Sequence, residues 1–184
     1  NQSSGKQGFE IASELTRRGA KVTLITGPVN IPYPNCENII RVKTAKEMLD
    51  NVNKQLPADI LICSAAVADW KLIPKTSSNK KIDMNKKIKK NNDNLLFETI
   101  KNPDILETIA NGTLRPKIVI GFSAETNNLK KNAYYKLVSK NIDLIIANDV
   151  SNAKVFGEDF NEVLLIDKFN CCLLYTSPSP RDLR

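Results

Sequence analysis

The chain has 184 residues, 41% of them hydrophobic, and no apolar run near the roughly 18 to 20 residues of a membrane span, so we expect one globular, cytoplasmic domain without a membrane partner. The absence of histidine excludes Ser-His-Asp and Cys-His catalysis and almost every His-ligated metal site. The formal charge of +7 is carried mainly by lysine, in a sequence that is also rich in Asn and Ile. Only 6% of the residues are aromatic, so a basic nucleic-acid-binding module is the weakest interpretation and we expect no nucleic-acid partner.

The first elements along the chain are a helix and two short strands. Near-helical spacing of apolar residues predicts a helix over residues 9–18, opened by a Gly-rich turn at residues 3–8 and ended by Gly19. Residues 21–26 (KVTLIT) read as a β-branched strand, and residues 39–42 (IIRV) as a second one.

The middle of the chain changes character after a buried strand. Thr44 is expected to cap a helix that runs through residue 56. Residues 59–66 (DILICSAA) form a nearly continuous apolar run, which is typical of a parallel strand buried on both faces. Residues 71–94 are crowded with Lys and Asn and lack periodicity, so we expect a long exposed loop there.

The second half alternates helices and strands. Asn102 is expected to cap a short helix with Pro103 in its first turn. Further elements are predicted as strands at residues 118–122, 144–147 and 163–166 and a helix at residues 129–140. This alternation predicts an α/β fold with a Rossmann-like, mostly parallel sheet and helices on both faces. Ligands of such sheets bind at the carboxyl ends of the strands.

The cysteines and the end of the chain suggest no further site. Cys63 is expected to be a small apolar residue of a buried strand, and no C-x-x-C spacing indicates a disulfide framework or a zinc site. Residues 171–184 show neither strand nor helix periodicity, and residues 172–182 match the conceptual translation of a sequencing-library adapter. We therefore expect a native domain over residues 1–170 and a non-native tail over residues 171–184.

One Gly-rich turn and five later motifs carry a family resemblance. The turn N-x-S-S-G-K-x-G at residues 1–8 meets a helix N-terminus, which favours an anion, but it is neither a P-loop nor G-x-G-x-x-G. It is followed in order by S-A-A-V-A-D-W, K-I-K-K, K-N-P-D-I-L, G-F-S-A-E-T-N and I-A-N-D-V. This series resembles the bacterial phosphopantothenoylcysteine synthetase (phosphopantothenate-cysteine ligase) family over residues 1 to about 167.

The resemblance implies a Rossmann-like, Mg²⁺-dependent homodimer of coenzyme A biosynthesis. Members use CTP to activate 4'-phosphopantothenate as an acyl-cytidylate, and the amine of cysteine then displaces CMP. The family is often fused behind a flavin-dependent decarboxylase, so FMN, and a higher oligomer, are expected only if such a domain lies upstream.

The resemblance also assigns site residues by matching motif positions. Asn1 and Lys87 match catalytic residues, and the substrate or intermediate is expected at Ser3, Ser4, Gly5, Ala65 and Ala66. The nucleotide is expected at Asp69, Lys87, Pro103, Asp104, Ile105, Leu106, Phe122, Lys136 and Lys140, while the metal ligands stay unknown.

Several alternatives remain open at this stage. Without the resemblance, Lys136 and Lys140 would by default form a solvated helix face, and Phe122 is equally typical of a core residue. The long Lys-rich stretch leaves the match of Lys87 uncertain by one position. The family's opening strand is expected to be missing ahead of Asn1. A nicotinamide-dependent oxidoreductase on the same fold class is the main competing function.

Overall fold

The computed structural model describes residues 4–75, 96–150 and 161–176, which form four helices and nine strands. The helices are α1 (Lys6–Arg17), α2 (Ala45–Lys54), α3 (Ile105–Ala110) and α4 (Leu129–Ser139). The strands are β1 (Thr23–Thr26), β2 (Asn38–Arg41), β3 (Ile60–Cys63), β4 (Trp70–Lys75), β5 (Leu96–Lys101), β6 (Ile118–Glu125), β7 (Leu144–Asp149), β8 (Asn161–Asp167) and β9 (Cys171–Thr176).

The main sheet has five strands in the order β3-β6-β7-β8-β9. Its first three strands are parallel, whereas β8 and β9 are added antiparallel. β1 and β2 form a separate parallel pair, and β4 and β5 form an antiparallel arm. The α/β, Rossmann-like prediction is confirmed, with the refinement that the main sheet is mixed. Among the described residues, no helix is both long and apolar enough to cross a membrane.

The main core lies between α3, α4 and one face of the sheet. It is built from Ala110, Val119, Ala133, Leu137, Ile142, Ile145, Ala147 and Ile166, each at most 2% exposed. A second cluster joins α2 to α3 through Val52, Ile105 and Ile109. Burial of such side chains from water supplies most of the driving force for folding. Both clusters include Leu61 at their edge, so three helices are anchored around the parallel strands.

Local signals explain where the helices start and stop. Thr44 caps α2 as predicted, because its hydroxyl accepts a hydrogen bond from the Glu47 amide at 3.1 Å. Gly19 follows α1 with φ +85°, a left-handed conformation that glycine adopts without a steric penalty. The helix itself begins at Lys6, three residues earlier than the apolar periodicity indicates.

The predicted long loop over residues 71–94 is wrong at its start. Residues 71–75 belong to β4, which pairs with β5 in register from Trp70 opposite Lys101 to Lys75 opposite Leu96. Lysine, glutamate, threonine and proline interrupt the apolar residues of this arm, and Trp70 and Phe97 stay more than half exposed. A buried apolar run, the usual signal of a central strand, is therefore missing. The remainder of the predicted loop, residues 76–94, lies outside the described part of the chain.

The chain after residue 170 also contains a strand that its composition does not predict. β9 pairs antiparallel with β8 and forms the edge of the main sheet. The expectation that residues 171–176 lack strand structure is therefore wrong. The origin of residues 171–184 as a non-native tail stays a prediction, and residues 177–184 lie outside the described part.

Candidate functional site

The candidate site lies at the carboxyl ends of β3 and β6, where α/β sheets bind ligands. The loop after β3 is tied to the segment before α3 by Asn102. Its backbone amide donates to the Asp69 carbonyl, and its side-chain amide donates to the Ala68 carbonyl, both at 2.8 Å. The predicted residues Asp69 and Pro103 are thus held near each other, although they are 34 positions apart.

The start of α3 contributes the first charged pair of the site. Asp104 accepts a hydrogen bond from the Glu107 amide at 3.0 Å and so caps α3, which corrects the prediction that Asn102 is the cap. Its other carboxylate oxygen accepts from Lys140 Nζ at 2.6 Å. Burial raises the pKa of Asp104, but the hydrogen bonds from the Glu107 amide and from Lys140 outweigh it, and the net pKa is lowered.

The end of β6 contributes a second charged pair. Lys136 Nζ donates to Glu125 Oε1 at 2.6 Å and to Ser123 Oγ at 3.0 Å. The Ser123 hydroxyl donates to the same Glu125 oxygen, and Asn132 donates to Glu125 Oε2 at 3.2 Å. Both oxygens of this carboxylate are therefore fixed by partners from β6 and α4. We call Ser123, Glu125, Asn132 and Lys136 the Glu125 cluster.

Electrostatics keep the Glu125 cluster charged. The Glu125 side chain is 13% exposed, and burial alone would raise its pKa. Hydrogen bonds from Lys136 and Ser123 more than compensate, so the pKa of Glu125 is lowered. Lys136 and Lys140 lie one helical turn apart, and each ammonium contacts a carboxylate from another element. Both lysines are therefore held by carboxylates of neighbouring elements.

The apolar residues predicted for the nucleotide have different surroundings. Ile105 is 7% exposed and belongs to the second core cluster, so its side chain is structural. Leu106 lies against Gly121, where an added Cβ would come within 2.8 Å of the Leu106 side chain. Phe122 is half-buried in β6, and strand alternation places it on the face opposite Ser123.

The Gly-rich turn lies close to the end of β3. Gly5 precedes α1 with φ +78°, and Ser4 Oγ accepts from the Lys6 amide at 3.3 Å. A Cβ on Gly8 would lie 2.7 Å from Ser64 Oγ, so the first turn of α1 closely approaches the loop that holds the exposed residues Ala65 and Ala66. The predicted residues Asn1, Ser3 and Lys87 lie outside the described part of the chain.

Cys63, at the end of β3, fits the expectation of a structural residue. Loss of solvent, with a smaller contribution from the Asp104 carboxylate, raises the pKa of its thiol to about 12. A thiol with that pKa stays protonated at neutral pH and is a poor nucleophile.

Ser123, Glu125 and Asn132 belong to the candidate site through their hydrogen bonds, and the sequence interpretation did not assign them. Ser123 and Glu125 belong to the quoted motif G-F-S-A-E-T-N, and that motif is the available signal for them. Within the described ranges, no group of three or more Cys, Asp or Glu residues could hold a metal ion.

Comparison with known proteins assigns the family. Residues 1–173 match the family described as DNA/pantothenate metabolism flavoprotein C-terminal domain. The chain belongs to this family. The chain is 46% identical over 171 residues to the coenzyme A biosynthesis bifunctional protein CoaBC of Borreliella burgdorferi, a match that covers 91% of this chain and 41% of the relative. It is also 43% identical over 167 residues to CoaBC of Escherichia coli, a match that covers 90% of this chain and 40% of that relative. The chain thus spans about two fifths of these relatives.

Solved structures agree with the family assignment. The crystal structure of the C-terminal domain of CoaBC superposes with a TM-score of 0.73 and 28% identity, covering all of this chain and 78% of that one. The DNA/pantothenate metabolism flavoprotein from Streptococcus pneumoniae has a TM-score of 0.76 at 23% identity, covering all of this chain and 86% of that one. A mutant of Cab2 in complex with phosphopantothenate-cysteine shares the fold, with a TM-score of 0.69 at 14% identity over 96% of this chain and 73% of that one.

Proposed function

We propose that this domain is a phosphopantothenate-cysteine ligase of coenzyme A biosynthesis, which uses CTP to join cysteine to 4'-phosphopantothenate. The observation that carries the proposal is the pair of lysines, Lys136 and Lys140, held at the carboxyl edge of the parallel strands in a chain of this family. The relatives are named as coenzyme A biosynthesis proteins, and Cab2 was captured with phosphopantothenate-cysteine.

The proposed chemistry needs positioning and charge neutralisation rather than a histidine base. The phosphopantothenate carboxylate attacks the α-phosphorus of CTP, and pyrophosphate leaves as the acyl-cytidylate forms. The amine of cysteine then attacks the activated carbonyl, CMP leaves, and the amine loses a proton. Ammonium groups near the phosphates stabilise the negative charge that moves to pyrophosphate.

The site residues divide the work according to their positions. Lys136 and Lys140 would face the triphosphate, while the exposed loop of Ala65, Ala66 and Asp69 and the turn of Ser4 and Gly5 would bound the acyl half of the intermediate. Asn1, Ser3 and Lys87 are proposed for the same site from their motif matches.

Mg²⁺ is proposed to accompany the nucleotide. It usually keeps several waters and binds through substrate phosphates with one or two carboxylates, so a dedicated cluster of acidic residues is not required. Asp104 and Glu125 are carboxylates within reach of this edge, although each is paired with a lysine. We also propose that the ligase forms a homodimer. FMN is expected only if a decarboxylase domain lies upstream in the same protein.

The direct test is nucleotide turnover by a form extended with the upstream sequence of its gene. We expect pyrophosphate release from CTP only when phosphopantothenate is present, because its carboxylate is the nucleophile. Coupled pyrophosphate detection with CTP alone, and with ATP in place of CTP, provides the controls. Binding of NADH without any pyrophosphate release would instead support the oxidoreductase alternative.

A further inference from the structure

The Glu125 cluster fixes a lysine before any ligand arrives. Lysine has a long side chain with many rotamers, and ordering it on binding reduces affinity. Here the Lys136 ammonium already has two acceptors, Ser123 Oγ at 3.0 Å and Glu125 Oε1 at 2.6 Å. An ammonium has three protons. Within the described part of the chain, the third proton has no hydrogen-bond acceptor.

The carboxylate that holds Lys136 is itself immobilised. Ser123 is 5% exposed and donates its hydroxyl to Glu125 Oε1. Asn132 donates to Glu125 Oε2 at 3.2 Å and also to the Asn127 carbonyl at 3.0 Å, which connects α4 to the turn after β6. Glu125 therefore sits in a fixed place between a strand end and a helix, and its side chain is far less exposed than that of Lys136, at 13% against 41%.

We propose that Glu125 is a positioning residue, which holds the Lys136 ammonium with one proton directed to a nucleotide phosphate. This inference rests on the proposed function and adds to it a residue that acts only through Lys136. Glu125 does not contact the phosphate, which its negative charge would repel. Its benefit is that the lysine is ordered in advance, which is the usual role of residues that support a binding group.

The test is a double-mutant cycle on CTP affinity in the N-terminally extended protein, measured by calorimetry. Glu125→Gln keeps the size of the side chain but removes its charge, and we expect CTP binding to weaken about tenfold, which corresponds to about 1.4 kcal/mol. Lys136→Met should weaken binding by at least as much. In the Lys136→Met background, Glu125→Gln should change the affinity by less than about twofold, because its effect passes through that lysine.

Two further variants make the test specific. Asn132→Ala loosens Glu125 without touching Lys136 and should weaken CTP binding about two- to threefold, so the proposal stays testable if Glu125→Gln does not fold. Asp59→Asn removes the exposed ion pair with Lys117, which flanks the opposite end of β6, and should leave the affinity unchanged.

The outcomes separate this inference from the proposed function. Two results would overturn the positioning role: CTP binding by Glu125→Gln that is equal to or tighter than that of the parent, or a tenfold loss of affinity from Glu125→Gln in the Lys136→Met background. In either case, a parent protein that releases pyrophosphate would still support the ligase. A parent protein that does not bind CTP would overturn the proposed function, and the inference with it.

Discussion

Lys87 is the residue on which the proposed chemistry depends most. It is the first lysine of K-I-K-K, and the family resemblance assigns it to formation of the acyl-cytidylate. Lys87→Gln keeps a hydrogen-bond donor but removes the charge. Loss of one well-placed electrostatic group typically costs about 10² to 10³ in rate, or roughly 2.7 to 4 kcal/mol. We expect the variant to fold normally and to release pyrophosphate at least about 10²-fold more slowly.

The neighbouring lysines provide matched controls for Lys87→Gln. Lys86→Gln, Lys89→Gln and Lys90→Gln remove the same charge from the same segment, and one of them would show the loss instead if the motif match is off by one position. If all four variants turn over within a few-fold of the parent, the segment is a solvated charge run and its assignment to the site is wrong.

The residues of the Glu125 cluster show what sequence reasoning cannot supply. Lys136 entered the interpretation only through its match to a family motif, since two lysines at i and i+4 are also typical of a solvated face. The pairing of Lys136 with Glu125 joins a helix to a strand across 11 positions. That contact depends on how α4 docks on the sheet, and periodicity does not encode docking.

At the scale of elements, α3 is a short helix whose stability depends on its first residue. Asp104 both caps it and pairs with Lys140. Asp104→Ala removes both interactions and should lower the free energy of unfolding by about 1 to 2 kcal/mol. Asp104→Asn retains the cap and loses only a partly exposed ion pair, so it should cost less than about 1 kcal/mol. Urea denaturation of the two variants at pH 7 separates the contributions.

The pH dependence of this effect has a definite sign. The pKa of Asp104 is lowered in the folded protein, so the charged carboxylate stabilises the fold above the ordinary pKa of Asp, near 4. This contribution disappears as the pH falls through the lowered folded pKa. The stability difference between the parent and Asp104→Asn should therefore shrink at acid pH. An unchanged difference at pH 7 and at pH 2 would contradict the assignment.

Elements with a buried apolar run were predictable, and exposed ones were not. β6 and β7 carry continuous runs of Ile, Val and Leu, and their positions were confirmed with extensions of two or three residues. β4 and β5 form an exposed arm, where lysine, proline and polar residues are tolerated. β9 is an apolar edge strand, CCLLYT, and it was missed because its sequence was set aside as an adapter match. The pairing of β4 with β5 joins strands on either side of residues 76–95, so local pattern gave no signal for it.

For the whole molecule, truncation tests where the folded domain ends. Deletion of residues 177–184 should leave the thermal midpoint unchanged, since their composition shares no pattern with the rest. Deletion of residues 171–184 also removes β9 and exposes β8 as an edge. We expect this longer deletion to lower the midpoint by several degrees in calorimetry. Equal midpoints for both truncations would show that β9 adds nothing to the sheet.

The two acid-lysine pairs also bear on how a polyanion would be captured. Lys136 with Glu125 and Lys140 with Asp104 place two positive and two negative charges side by side. Viewed from beyond a Debye length, about 8 Å at physiological ionic strength, these pairs nearly cancel. The chain carries a net charge of +7, yet this corner contributes little to long-range steering. A triphosphate would therefore interact with this corner only through short-range contacts. These four groups would make the rate of triphosphate association nearly independent of added salt.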